Sequence, residues 1–217
     1  MRLHGLASTL SIAGVLLAHP VQAADDTQRS AKQEKKRLAA IAKLTPSQIA
    51  GTASIKDDPL EPLVTITTEA AFRWKGGFTD PVRADNMLRA ILDRPTVTAN
   101  YQLYQTITYS GNWRRYDRAN IAFPSGLKTI ALTVIDRRVV TCAYGPCVLE
   151  ETVGFNLSED DIDALAASYE QNPKATLKFR FKSATSFDWN DDLPAVEVVG
   201  LLQAVEKWKR SKGLVTP

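Results

Sequence analysis

The sequence predicts an α+β domain: a mainly antiparallel, meandering β-sheet of about six to eight strands with two packed helices, plus an N-terminal helical arm. Three observations carry that prediction. Runs with a period of two follow one another through the middle of the chain. The turns between them are far shorter than the crossover of a dozen or so residues that a parallel return needs. Beyond the N-terminal arm, segments with helical periodicity come only after most of the strands.

Residues 1–23 read as a secretory signal that is cleaved, with Arg2 as the positive start, Leu6 to Ala18 as the apolar stretch and Val21-Gln22-Ala23 as a small-residue cleavage site. That apolar stretch is shorter than the roughly 20 residues a spanning helix needs. No later segment is long and apolar enough either, so the mature chain is expected to be periplasmic or secreted, with no transmembrane segment. Residues 24–62 read as a charged helical arm and linker. Within it 27–44 is rich in helix formers, Leu38, Ile41 and Leu44 are three apart, and Thr45-Pro46-Ser47 ends the helix or caps a short successor. Gly51, Pro59 and Pro62 mark 47–62 as a linker over the surface. Residues 63–217 form a single α+β domain on this reading.

In that domain Val64 and Ile66 alternate with Thr65 and Thr67, and Met87 to Arg94 follows Gly76-Gly77 and Pro81 as a second apolar run. From 97 to 109, Val97, Ala99, Tyr101, Leu103, Gln105, Ile107 and Tyr109 fall on one face and Thr98, Gln102, Tyr104, Thr106 and Thr108 on the other, after a turn at Asp93-Arg94-Pro95-Thr96. Residues 116–123 pair with 128–136 across Pro124-Ser125-Gly126, and 137–142 with 147–157 across the turn between Cys142 and Cys147. In an oxidising compartment those two cysteines form one local disulfide contributing about 2 kcal/mol on the chain-entropy model. A redox-active pair would have two residues between the cysteines at the start of a helix, whereas Ala-Tyr-Gly-Pro is a turn.

Ser158-Glu159-Asp160-Asp161, an N-cap followed by acids in the first turn, is a capping-box-like start to a helix burying Ile162, Leu165, Ala166 and Tyr169, and Asn172-Pro173 stops it. Leu177, Phe179 and Phe181 against Lys178, Arg180 and Lys182 give a strand with one wet face. A last helix starts near Pro194 and buries Val198, Leu201, Leu202, Val205 and Trp208.

Charge and composition exclude more than they assign. The chain has 27 Lys and Arg against 24 Asp and Glu, but residues 44–217 hold 20 basic and 21 acidic residues, so the basic excess belongs to the signal and the arm. Nucleic acid is therefore not expected as a partner. Both histidines, His4 and His19, lie in the signal, which excludes histidine triads and histidine-ligated metal from the mature chain. Ser125 and Lys128 match an S-x-x-K spacing, but they sit in a hairpin turn with no S-D-N or K-T-G companion. No catalytic residue, metal or cofactor is assigned.

Asp188, Asn190 and Asp192 alternate as calcium-loop ligands do, yet the central Gly is absent and Val199 stands where a bidentate Glu belongs. The reading preferred for this segment is an N-cap cluster for the last helix, with Asp191 or Asp192 accepting its free N–H groups. Glu150, Glu151, Asp117 and Asp136 could supply a glycosidase pair, but spacing selects none of them. The ligand-binding candidate is the turn Trp113, Arg114, Arg115 and Tyr116, where aromatic faces and guanidinium forks could hold a sugar, phosphate or carboxylate. The alternative is that Trp113 and Tyr116 pack over the sheet edge while the arginines solvate it. Trp74 could line the same surface. The resulting expectation is a non-enzymatic envelope protein that binds or scaffolds an envelope protein or ligand. Its rivals are a carboxylate-dependent hydrolase of envelope polysaccharide using Asp188, Asp191 or Asp192, and a calcium-stabilised structural module.

Overall fold

A computed structural model describes residues 31–72, 83–143 and 145–214. The signal segment, Trp74, Gly76-Gly77 and Pro81 lie outside the described residues. In chain order the elements are α1 (Ala31–Ile41), α2 (Pro46–Thr52), β1 (Ser54–Lys56), β2 (Leu63–Thr67), α3 (Glu69–Phe72), β3 (Arg83–Asp93), β4 (Ala99–Ser110) and β5 (Tyr116–Phe123). There follow β6 (Gly126–Ala131), β7 (Thr133–Thr141), β8 (Val148–Leu157), α4 (Glu159–Gln171), β9 (Thr176–Ser183), β10 (Trp189–Pro194) and α5 (Ala195–Ser211).

The class is α+β and the strand pairings are antiparallel, as the short turns require. The strands do not form one meander, however. They divide into a six-stranded sheet A, ordered β1-β2-β3-β4-β8-β7, and a four-stranded sheet B, ordered β10-β9-β5-β6. Each sequence hairpin is present, but β4 takes β8 as its second neighbour, with Tyr101 opposite Leu157 and Ser110 opposite Val148. The turn at 111–115 carries the chain out of sheet A into sheet B. Leu132, whose N–H donates to Asp117 O at 2.9 Å, brings it back, so the run read as 128–136 is divided there.

The inner face of β4 is the one the alternation gives: Tyr101, Leu103, Gln105, Ile107 and Tyr109 are all buried. Sheet B covers the β4–β8 side of this face, and Phe155 of β8 meets Phe179 and Phe181 of β9 edge-on at 5.9 and 6.3 Å. α5 covers the β2–β3 side and carries α4 and α2 against it. Ser158 and Asp161 form the expected capping box of α4.

Two further segments differ from their sequence reading. The stretch 47–62 holds α2 and β1. Thr45 and Gln48 cap α2, and its fully buried Ile49 packs on Gly200, where an added Cβ would lie 2.5 Å from Ile49 Cγ2. The aspartate cluster is strand β10 rather than a helix cap; Pro194 occupies the N-cap of α5 and gives no side-chain bond. Pairing with β9, from Trp189 opposite Phe181 to Pro194 opposite Thr176, buries Trp189 and Leu193 and fixes the extended conformation.

Candidate functional site

The turn predicted to bind is built around a buried carboxylate. Glu151, on the inner face of β8, accepts the Tyr109 hydroxyl, the Arg115 N–H at 2.9 Å and Arg137 Nε at 2.7 Å. These bonds hold Arg115 in a left-handed conformation, φ 54°, which a non-glycine residue adopts only where its surroundings fix it. The Arg114 guanidinium lies 4.2 Å from the Tyr109 ring centroid and 5.5 Å from that of Phe187, and the Arg114 backbone N–H donates to the Tyr109 hydroxyl at 3.0 Å. Arg114 and Tyr116 are buried, Trp113 is half-buried against the core and Arg115 is exposed. Burial pushes the Tyr116 hydroxyl up to about 12 and Tyr109 higher still, with the Glu151 carboxylate acting in the same direction. Of the four residues, Trp113 and Arg115 are thus the two open to solvent, and Arg114 and Tyr116 build the wall behind them.

A second polar centre joins the two sheets. β2 leaves β3 after Thr67 pairs with Arg89, so the next β3 amide, Leu88 N, needs another acceptor. Glu197 of α5 supplies it at 2.9 Å and also takes the Thr68 hydroxyl. Burial pushes the Glu197 carboxyl up to about 8, those two bonds offsetting it only in part. Nearby Asp191 points inward from β10, accepting Gln105 Nε2 at 2.6 Å and Trp189 Nε1 at 3.3 Å. Among the described residues the buried oxygens Gln105 Oε1 and Glu197 Oε2 have no hydrogen-bond partner.

Asp188 and Asp192 lie on the other face of the β10 segment. Burial alone would raise the Asp188 carboxyl, but the Lys182 ammonium and the Ser183 N–H outweigh it and hold it below its usual range. Asp192 is ion-paired to Arg37, which also approaches Asp191 at 3.7 Å and binds Glu34 of its own helix at 2.8 Å. These pairs dock α1 against sheet B. Among the described residues no three His, Cys, Asp or Glu side chains are grouped to hold a metal ion.

Between α1 and the solvent face of sheet B runs an open groove of about 590 Å³, a size suited to a small ligand. Asn120 and Ala122 of β5, Leu127 of β6, Lys178, Phe179 and Arg180 of β9, and Asn190, Asp191 and Asp192 of β10 line it, with Glu34 on the helix side. Leu127 is 75% exposed, although it is a large apolar side chain. Arg180 Nε donates to Asn190 Oδ1 at 2.5 Å, which orients its guanidinium across the strands. The groove therefore offers the cations of β9, the amides Asn120 and Asn190 and an apolar contact on β6, while its acids Glu34, Asp191 and Asp192 face Arg37.

Sequence reasoning placed Lys178 and Arg180 on a wet face but gave them no role, and it gave none to Leu127. The signal in the sequence was the run of cations Lys178, Arg180 and Lys182 on the outer face of β9 beside the Asn190 and Asp192 face of β10. The lid formed by α1 depends on contacts more than 150 residues apart, such as Arg37 with Asp192. Comparison with known proteins adds no template: no family model, no curated protein and no solved structure matches the chain.

Proposed function

We propose that this chain is a non-enzymatic binding module of the cell envelope or exterior, whose ligand lies in the groove between α1 and sheet B and carries an anionic group beside an apolar one. The observation that carries the proposal is Lys178: it lines the groove, and its ammonium has no hydrogen-bond or ion-pair partner among the described residues. Arg180 stands two residues along the same face, and Leu127 supplies the apolar contact. The Cys142–Cys147 disulfide supports an oxidising location, and no described helix is long and apolar enough to cross a membrane. A hydrolytic role draws less support. Glu151, Glu197 and Asp191 are enclosed, while Asp188 and Asp192 are tied to Lys182 and Arg37.

The test is a thermal-shift panel on the purified chain with anionic glycan fragments, phospholipid headgroups, acidic peptides, calcium and chelator. A ligand at a hundred times its Kd adds about 2.7 kcal/mol, roughly 5 to 11 °C for a domain of this size. A shift with an anionic probe that Lys178→Glu removes supports the groove. A shift that survives Lys178→Glu but is lost in a Trp113→Ala, Arg115→Ala double variant would move the binding surface to the turn. No shift with any anionic probe would overturn the proposal.

A further inference from the structure

Strand β7 is the last strand of sheet A, and every one of its residues is exposed. Its apolar side chains are unusually open for an edge: Val134 is 44% exposed, Val139 54% and Val140 49%. An uncovered edge presents a row of unpaired N–H and C=O groups, and monomeric proteins guard such edges with charges and bulges. β7 has both. Asp136, Arg137 and Arg138 occupy its centre, and the register against β8 shifts between Val134 and Asp136 and again between Val139 and Thr141.

The order of these residues is what separates a guard from a recognition surface. Written against an inverted copy of itself about Arg137, the strand TVIDRRVVT places Thr133 opposite Thr141, Val134 opposite Val140, Ile135 opposite Val139 and Asp136 opposite Arg138. Each apolar residue then meets an apolar one, and each charge beside the axis meets its opposite. The faces of the three central charged residues agree as well. Asp136 and Arg138 pair with Thr152 and Glu150 on the outer side of β8, whereas Arg137 pairs with Glu151 on the inner side. The one like-charged encounter, Arg137 with its own copy, is already compensated within each chain. Arg137 Nε donates to Glu151 at 2.7 Å and Nη2 to Tyr116 O at 3.3 Å. Arg138 binds Glu150 at 2.7 Å while remaining 63% exposed, so its remaining donors stay available for a second carboxylate. Asp136 has no hydrogen-bond or ion-pair partner among the described residues.

We propose that β7 is a self-recognition edge, on which a second copy of this chain adds antiparallel about Arg137 and joins two six-stranded sheets A into one continuous sheet. Such pairing is isologous, so the complementary Asp136–Arg138 contact occurs twice per dimer. Strand addition of this kind takes its affinity from main-chain hydrogen bonds and its register from the side chains.

The experiment is sedimentation velocity of the full chain and two charge variants over a wide concentration range. The parent is expected to dimerise. Asp136→Arg places arginine opposite Arg138, and Arg138→Asp places aspartate opposite Asp136; each is expected to weaken association at least tenfold, since like charges directly opposite destabilise a pair. Mixing the two variants restores both opposite-charge contacts and should restore a dimer containing one chain of each. Because the Asp136 side chain has no hydrogen-bond or ion-pair partner among the described residues, its variant should keep the parent's melting temperature, which separates lost association from lost folding. A parent that stays monomeric at the highest concentration, single variants that dimerise as the parent does, or folded variants whose mixture stays monomeric would each overturn the proposal.

Discussion

Replacing Glu151 with Gln removes one charge from the centre of the molecule while leaving its shape unchanged. The carboxylate is fully buried and accepts from Tyr109, Arg115 and Arg137. A glutamine can keep its oxygen toward Tyr109 and Arg115, but its amide NH2 then faces Arg137 Nε, donor against donor. The Arg137 bond is lost outright. A hydrogen bond to a charged group contributes about 1.5 to 3 kcal/mol, and the two retained bonds weaken as their acceptor becomes neutral. Arg137 is a third exposed and can turn to water, which keeps the cost below that of a fully enclosed unpaired charge. The expected loss is about 3 kcal/mol, or roughly 6 to 12 °C in Tm for a domain of this size. Urea unfolding at neutral pH measures it, and Arg137→Gln, alone and combined with Glu151→Gln, gives the coupling between the two residues. A loss under about 1 kcal/mol for Glu151→Gln would refute the claim that this carboxylate holds the 111–115 turn.

Three further outcomes follow from the packing. Glu197 titrates near 8 in the folded chain against an ordinary 4.5, so its stabilising contribution is complete below the lower value and is lost as the pH rises through the higher one. Glu197→Gln should therefore match the parent near pH 5 and melt above it near pH 9; parallel Tm–pH curves would contradict this. Gly200→Ala gains about 1 kcal/mol of helix propensity but forces a Cβ to within 2.6 Å of Ile49 Cβ, so a net loss of about 1 to 3 kcal/mol is expected in urea titration. Arg37→Ala removes the ion pairs that fasten α1 to β10, and limited proteolysis should then cut within Ala31–Ile41 at least tenfold faster than in the parent.

Local pattern was enough for much of this fold. The alternation of Tyr101, Leu103, Ile107 and Tyr109, the Ser158 capping box and the disulfide turn each depend on neighbours within a few residues, and all are legible in the sequence. The division into two sheets is not, because β5 looks the same from within whether its partner is β4 or β9. Asp191 illustrates the same limit. An acidic run before a proline matches a helix cap, and only the pairing of Trp189 with Phe181 makes it a strand. Arg114 reads as a solvated turn residue, yet Phe187 reaches it from a distant segment and joins Tyr109 of the adjoining strand around its guanidinium. Glu197 did leave a trace. It is in helical phase with Leu201, Ala204 and Trp208, so an acid stands in the buried stripe of α5, where only a backbone amide such as Leu88 N–H makes it tolerable.

The most direct test of the binding proposal is a two-dimensional 15N NMR titration of the folded chain with the anionic probe that gives the largest thermal shift. Binding in the groove should perturb the amides of 120–127, 178–180 and 190–192 together with those of α1, and leave 111–116 in place. Perturbations confined to 111–116, or spread over the surface without saturation, would contradict it.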